Sequence, residues 1–146
     1  PTIRAVRRAA AAEGDAIVDC PPGTSCPVIS ALLGCDMAVL VTEPTPFGLH
    51  DLTLAVETVR QLCIPLGIVL NRAGAGDDRV HAYCAREGIP ILLEIPDDRR
   101  IAEAYSRGEL VVEALPQYAR AFSDLADAIR AFAVHAGPKA SERAKW

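Results

Sequence analysis

Four short stretches end apolar runs with side chains that can do chemistry: "DCPPG" (19–23), "TEPTPFG" (42–48), "NRAG" (71–74) and "PDD" (96–98). A carboxylate such as Asp19 at the end of a β-type run can hold magnesium, mostly through water, because that hard cation prefers oxygen and keeps its hydration. Gly23 has no side chain to block a backbone N–H from approaching a phosphate. The same residues also make an ordinary strand end and a Pro21–Pro22–Gly23 turn. The amide of Asn71 both donates and accepts, so it can read a purine edge or satisfy its own loop. Pro96 and Asp97 can lend backbone contacts to the same base, or Pro96 can end a strand while Asp97 or Asp98 caps a helix.

Those stretches need strands to hold them. Nearly unbroken apolar runs at 16–19, 37–42, 66–71 and 90–95 read as strands covered on both faces of a parallel sheet. Helices are expected between them: 25–34 from an N-cap at Ser25, 47–63 with Leu49, Leu52, Val56, Val59 and Cys63 on one stripe, and 77–87 from Asp77 to before Gly88. His50 and Asp51 are expected in the opening turn of the second helix, and His81 at the surface. "DDRRIAEAYSRG" reads as a short helix ended by Gly108. Residues 115–134 read as a long one whose Leu115, Tyr118, Phe122, Leu125, Ile129 and Phe132 form an apolar stripe against the sheet. Strand and helix in alternation predict an open, doubly wound, mostly parallel α/β sheet with flanking helices. Ligands of such sheets bind outside the carboxyl ends of the strands, where the four stretches lie.

Composition narrows the partners. With 146 residues the chain has one domain's length, read as 1–137 followed by a flexible tail at 138–146. A net charge of −4 gives no field for nucleic acid, the small Arg4, Arg7 and Arg8 cluster notwithstanding. No apolar run nears the roughly 18 residues of a membrane span. The long helix carries Asp124 and Asp127 beside Arg120 and Arg130, without the basic bias of a membrane-surface helix. Five cysteines without a C-x-x-C pair fit reduced thiols and a cytoplasmic protein, and the first residues lack the apolar core of a signal peptide. Cys20, Cys35, Cys63 and Cys84 are expected in or near the core.

Taken in order, "AIVDCPPGTSCPVISALLGCDMAVLVTEPTPFGLHDL", "GIVLNRAG" and "IPILLEIPDD" resemble the C-terminal two-thirds of the MinD/ParA/Mrp superfamily of P-loop ATPases. The likeness covers about residues 14–115 and is nearest to the MinD-like ATPases with an inserted ferredoxin domain, with the nitrogenase iron protein more distant. It implies a partial P-loop NTPase fold. By the same resemblance Asp19 positions magnesium through water, and Pro22 and Gly23 lead the backbone to the γ-phosphate. Asn71, with Arg72 beside it, and Pro96 with Asp97 receive the adenine of ATP. Thr42, Glu43 and Pro44 fall near the family's dimer face.

The family works by ATP-dependent homodimerisation, with hydrolysis resetting the dimer to drive partner assembly, transport or electron transfer. The resemblance therefore implies iron–sulfur or redox work with a protein partner. Cys26, seven residues after Asp19, shares its offset with a cluster-ligating cysteine of the nitrogenase iron protein, so a bridged 4Fe–4S cluster is one use open to it. A small semi-buried thiol beside a loop is the other.

The chain departs from the family in one respect. These 146 residues hold no glycine-rich phosphate loop, and their only lysines are Lys139 and Lys145. A C-terminal fragment, inactive alone and with a bare sheet edge that pairs with another copy, is the corresponding expectation. Two other classes stay open: a non-catalytic dimerisation or scaffold module on the same fold, and a relative of cobyrinate diamide synthases or dethiobiotin synthetases.

Overall fold

The computed structural model describes residues 15–135. The Arg4, Arg7 and Arg8 cluster and the 138–146 tail lie outside the described residues. Three parallel strands, β1 (Ala38–Thr42), β2 (Leu66–Ala73) and β3 (Ile91–Pro96), form an open sheet in the order β1-β2-β3. Around them stand α1 (Cys26–Leu32), α2 (Pro46–Gln61), α3 (Arg79–Glu87), α4 (Arg99–Ser106), α5 (Val111–Ala114) and α6 (Pro116–His135). The expected α/β class is therefore the one observed.

β2 is the centre of the molecule. It is buried from Leu66 through Leu70 because it has a neighbour on each side, β1 in continuous register from Ala38↔Leu66 to Thr42↔Leu70, and β3. Alternate residues of a strand share a face. Leu66, Ile68 and Leu70 accordingly join one cluster with Val28 and Leu32 of α1, Leu52, Val56 and Val59 of α2, and Val80, Tyr83 and Cys84 of α3. Fully burying a side chain of this size stabilises by roughly 1.5–3 kcal/mol, so this cluster is the main reason the strands stay in place.

Local signals set several boundaries. Gly88 ends α3 with φ 65°, a left-handed cap that costs glycine little. α2 begins at Pro46, with the Thr45 side chain accepting a hydrogen bond from the Gly48 N–H at 3.0 Å. His50 and Asp51 thus sit in its second turn, both exposed, rather than opening the helix. The helix ends at Gln61, and Cys63 follows in a left-handed turn (φ 53°), so it is exposed instead of closing the core stripe. α3 starts at Arg79, because Asp77 turns its carboxylate onto the Arg79 N–H at 3.0 Å in the turn before the helix. His81 is half-exposed at the surface, with Nε2 3.0 Å from a Glu94 carboxylate oxygen. Ser25 occupies the N-cap position of α1 without a side-chain capping bond. On α6, Tyr118 is buried, but Phe122 is exposed and Leu125, Ile129 and Phe132 only half-buried, since the helix lies against β3 at the margin of a narrow sheet.

The largest difference is at the first expected strand. Residues 16–19 form none, and Ile17 is 99 % exposed. A strand is one half of a ladder, and no described residue supplies the other half. A side-chain ion pair of Asp15 with Arg130 of α6, at 2.7 Å, flanks this stretch on one side, and Cys20, half-buried, packs against the core on the other.

Candidate functional site

The carboxyl ends of the three strands converge through a bulge in β2. Leu70 pairs with Glu94 and Ala73 with Pro96, so three steps along β2 match two along β3. The extra residue lifts Asn71 and Arg72 out of the regular ladder, and Arg72 takes a left-handed φ of 54°. A non-glycine residue in that region is uncommon and persists only where its surroundings hold it.

Arg72 is held from both sides. Its Nε donates to Asp97 Oδ1 at 3.1 Å, and Nη1 lies 3.5 Å from Glu43 Oε2. Asp97, and then Glu43, push the guanidinium pKa further up. The Asp97 N–H donates to the Ala73 carbonyl at 3.1 Å, tying the β3 loop to the end of β2. On the other side Thr42 is buried, with its hydroxyl donating to the Gly48 carbonyl at 2.9 Å. A Cβ on Gly76 would collide with the Pro44 carbonyl, so only glycine lets the loop after β2 lie against the loop after β1. The expected segments "TEP", "NR" and "PDD" thus form one continuous edge.

Asp98 anchors its far end. It caps α4 by accepting from the Arg100 N–H at 2.9 Å, pairs with the Arg100 guanidinium at 2.7 Å, and accepts from the Tyr118 hydroxyl at 3.1 Å. The bonds from Arg100 hold its carboxyl well below the usual carboxylate range. Burial, followed by the Asp98 carboxylate, pushes the Tyr118 phenol up.

Between these anchors opens a cleft of about 280 Å³. Asn71 and Arg72 of β2, Pro96 and Asp97 at the end of β3, and Ile101 and Tyr105 of α4 are among its walls. Ligand sites commonly span about 300–1,000 Å³, so this one suits a ring system better than a whole nucleotide. Its cation is already committed, since Arg72 faces Asp97 and Glu43, and the lining also carries Asp98. Such walls favour a neutral, flat group with donors and acceptors over a phosphate.

Four of the expected site residues, Asn71, Arg72, Pro96 and Asp97, therefore meet in one cleft. Asp19, Pro22 and Gly23 are exposed and do not line it. Asp19 offers the oxygen chemistry that suits magnesium, but it stands on a stretch that joins no ladder. Cys26, for which a cluster ligand and a semi-buried thiol are the two readings, is exposed as the first residue of α1. Among the described residues no three His, Cys, Asp or Glu side chains gather to hold a metal ion, so they do not fit an iron–sulfur cluster by themselves. Ile101, Ala102, Tyr105 and Val111 also line the cleft without a strand-end signal, and the i, i+4 spacing of Ile101 and Tyr105 puts them on one face of α4.

No family model matches the chain. It is 43 % identical over 93 residues to an uncharacterized protein of Methanocaldococcus jannaschii, covering 64 % of this chain and 31 % of that one. It is 32 % identical over 127 residues to the iron–sulfur cluster carrier protein of Aquifex aeolicus, covering 75 % of this chain and 35 % of the other. Among solved structures, the cell division ATPase MinD of Pyrococcus furiosus superposes with a TM-score of 0.62 at 33 % identity, over 77 % of this chain and 49 % of that one. The chain spans about a third of the length of these curated relatives.

Proposed function

This chain is a relative of the MinD/ParA-like P-loop ATPases, and we propose that it carries the base-receiving part of their nucleotide site. The observation that supports this reading is the cleft itself: Asn71 and Arg72 from the end of one strand, and Pro96 and Asp97 from the end of the next, line a single hollow. Asn71 supplies an amide that pairs with a purine edge, while Pro96 and Ile101 supply apolar surface. In the whole protein Asp19 would hold a magnesium ion, mostly through water, beside the phosphates of ATP, and two loaded copies would pair. Hydrolysis then resets the dimer and is coupled to assembly of, or iron–sulfur delivery to, a protein partner. A relative named as an iron–sulfur cluster carrier supports that last step.

Titration of the 146-residue chain with adenosine and with Mg-ATP, followed by amide chemical shifts, tests the reading. Weak binding of both, with shifts centred on residues 71–73 and 96–105 and little gain from the triphosphate, is expected. Shifts centred elsewhere sink it. The scaffold reading expects no nucleoside binding and dimerisation independent of nucleotide, which sedimentation with and without Mg-ATP distinguishes.

A further inference from the structure

We propose that Tyr105 is the stacking wall of this cleft and makes its occupant a flat aromatic base; the inference rests on the base-receiving role given above. Tyr105 is the aromatic side chain among those lining the cleft, and it is 82 % exposed. Its helix does not need it for packing, since Ala104, one residue earlier, is fully buried and Ile101, one turn earlier, is half-buried. A single exposed aromatic is ordinary. This one borders two hollows, the cleft and a neighbouring one of about 510 Å³ lined by Ser106, Gly108, Glu109 and Leu110. Tyr105 thus borders two open spaces, and its exposure leaves side-chain surface for a ligand.

The chemistry of the other walls points the same way. Arg72 is committed to acidic partners, so the cleft has no spare charge to capture a phosphate. What remains is a polar edge at Asn71, apolar surface at Pro96 and Ile101, and an aromatic face at Tyr105. A purine offers a matching hydrogen-bonding edge and π-face, and stacking tolerates either purine because it reads the face and not the edge. Stacking needs the ring and not the hydroxyl, so phenylalanine should serve as well as tyrosine at this position.

Titration of the chain with adenosine, using wild type and the variants Tyr105→Phe, Tyr105→Leu, Tyr105→Ala and Asn71→Ala, decides the matter. Affinity should stay within about twofold for phenylalanine and fall about tenfold or more for alanine and leucine, the range that stacking supplies. Leucine keeps apolar bulk without a flat face, so its loss separates stacking from simple burial. Leucine or alanine binding adenosine as tightly as wild type, while Asn71→Ala weakens it, overturns the stacking role and leaves the base cleft standing. Wild type that binds no adenosine overturns the base cleft, and the stacking role with it. Tyr105 is exposed, so melting curves of all three Tyr105 variants should match wild type; were the alanine variant unfolded, the phenylalanine and leucine pair would still decide.

Discussion

The stretch from Asp15 to Cys26 and the edge from Asn71 to Asp98 look alike in sequence, since each is an apolar run closing on residues able to bind part of a nucleotide. They differ in the structure. β2 has a neighbour on both sides and a bulge that aims Asn71 and Arg72, with Asp97 bonded back to it. Residues 16–19 have no ladder, and Asp19, Pro22 and Gly23 are exposed. A residue at a strand end takes a defined direction only when its strand is paired, because the ladder fixes the backbone from which the side chain projects.

The sharpest way to break that contrast is to cut one apolar side chain from each region. Ile68→Ala in β2, where the side chain is fully buried, should cost about 3 kcal/mol of stability by urea unfolding. Ile17→Ala should stay within about 0.5 kcal/mol; a large loss there would mean that 16–19 is packed after all. Glycines give a second pair. Gly76→Ala forces the loop after β2 away from the Pro44 carbonyl and should destabilise by about 2 kcal/mol. Gly23→Ala meets open space and bears only the strain of its φ of 93°, about 1 kcal/mol.

Binding offers a third comparison. Asn71→Ala should weaken adenosine about tenfold, by removing a paired polar group from the cleft. Asp19→Ala should leave adenosine binding to this chain unchanged, and a loss there would bring the two regions into one site.

Acid titration probes the anchor of the assembled edge. The carboxyl of Asp98 is held below its unfolded value, so its stabilisation is present above pH about 4 and is lost as pH falls toward the lower folded pKa. Asp98→Asn should flatten that part of the stability curve, and an unchanged acid limb would show that the Arg100 and Tyr118 bonds contribute nothing. Smallest of all, Arg72→Ala removes two half-exposed ion pairs, so its effect on melting should be slight and vanish in high salt. A loss that persists in salt would mark Arg72 as the structural pin of the bulge.

The repeated strand and helix pattern was legible because each element carried its own signal. β2 reads as an apolar run, Gly88 ends a helix with a left-handed residue, and Asp98 caps one with its carboxylate. The cleft was legible in part. Asn71, Pro96 and Asp97 stand at strand ends where parallel sheets receive ligands, whereas Tyr105 carries no strand-end signal and enters the cleft through the turn of α4. Cys63 leaves the core because the helix stops at Gln61, two residues before it, although its spacing continues the apolar stripe of α2.

By itself the sequence determined the strands at 38–42, 66–73 and 91–96, the longer helices around them and the residue types at their ends, because propensity, period and capping are local properties. The tertiary structure decided which of those ends share a site. Register, the bulge at Asn71–Arg72 and the commitment of Arg72 to Glu43 and Asp97 depend on neighbours far along the chain. For the same reason "AIVD", a strand by composition, forms none among the described residues, since a strand is completed only by its partner's hydrogen bonds.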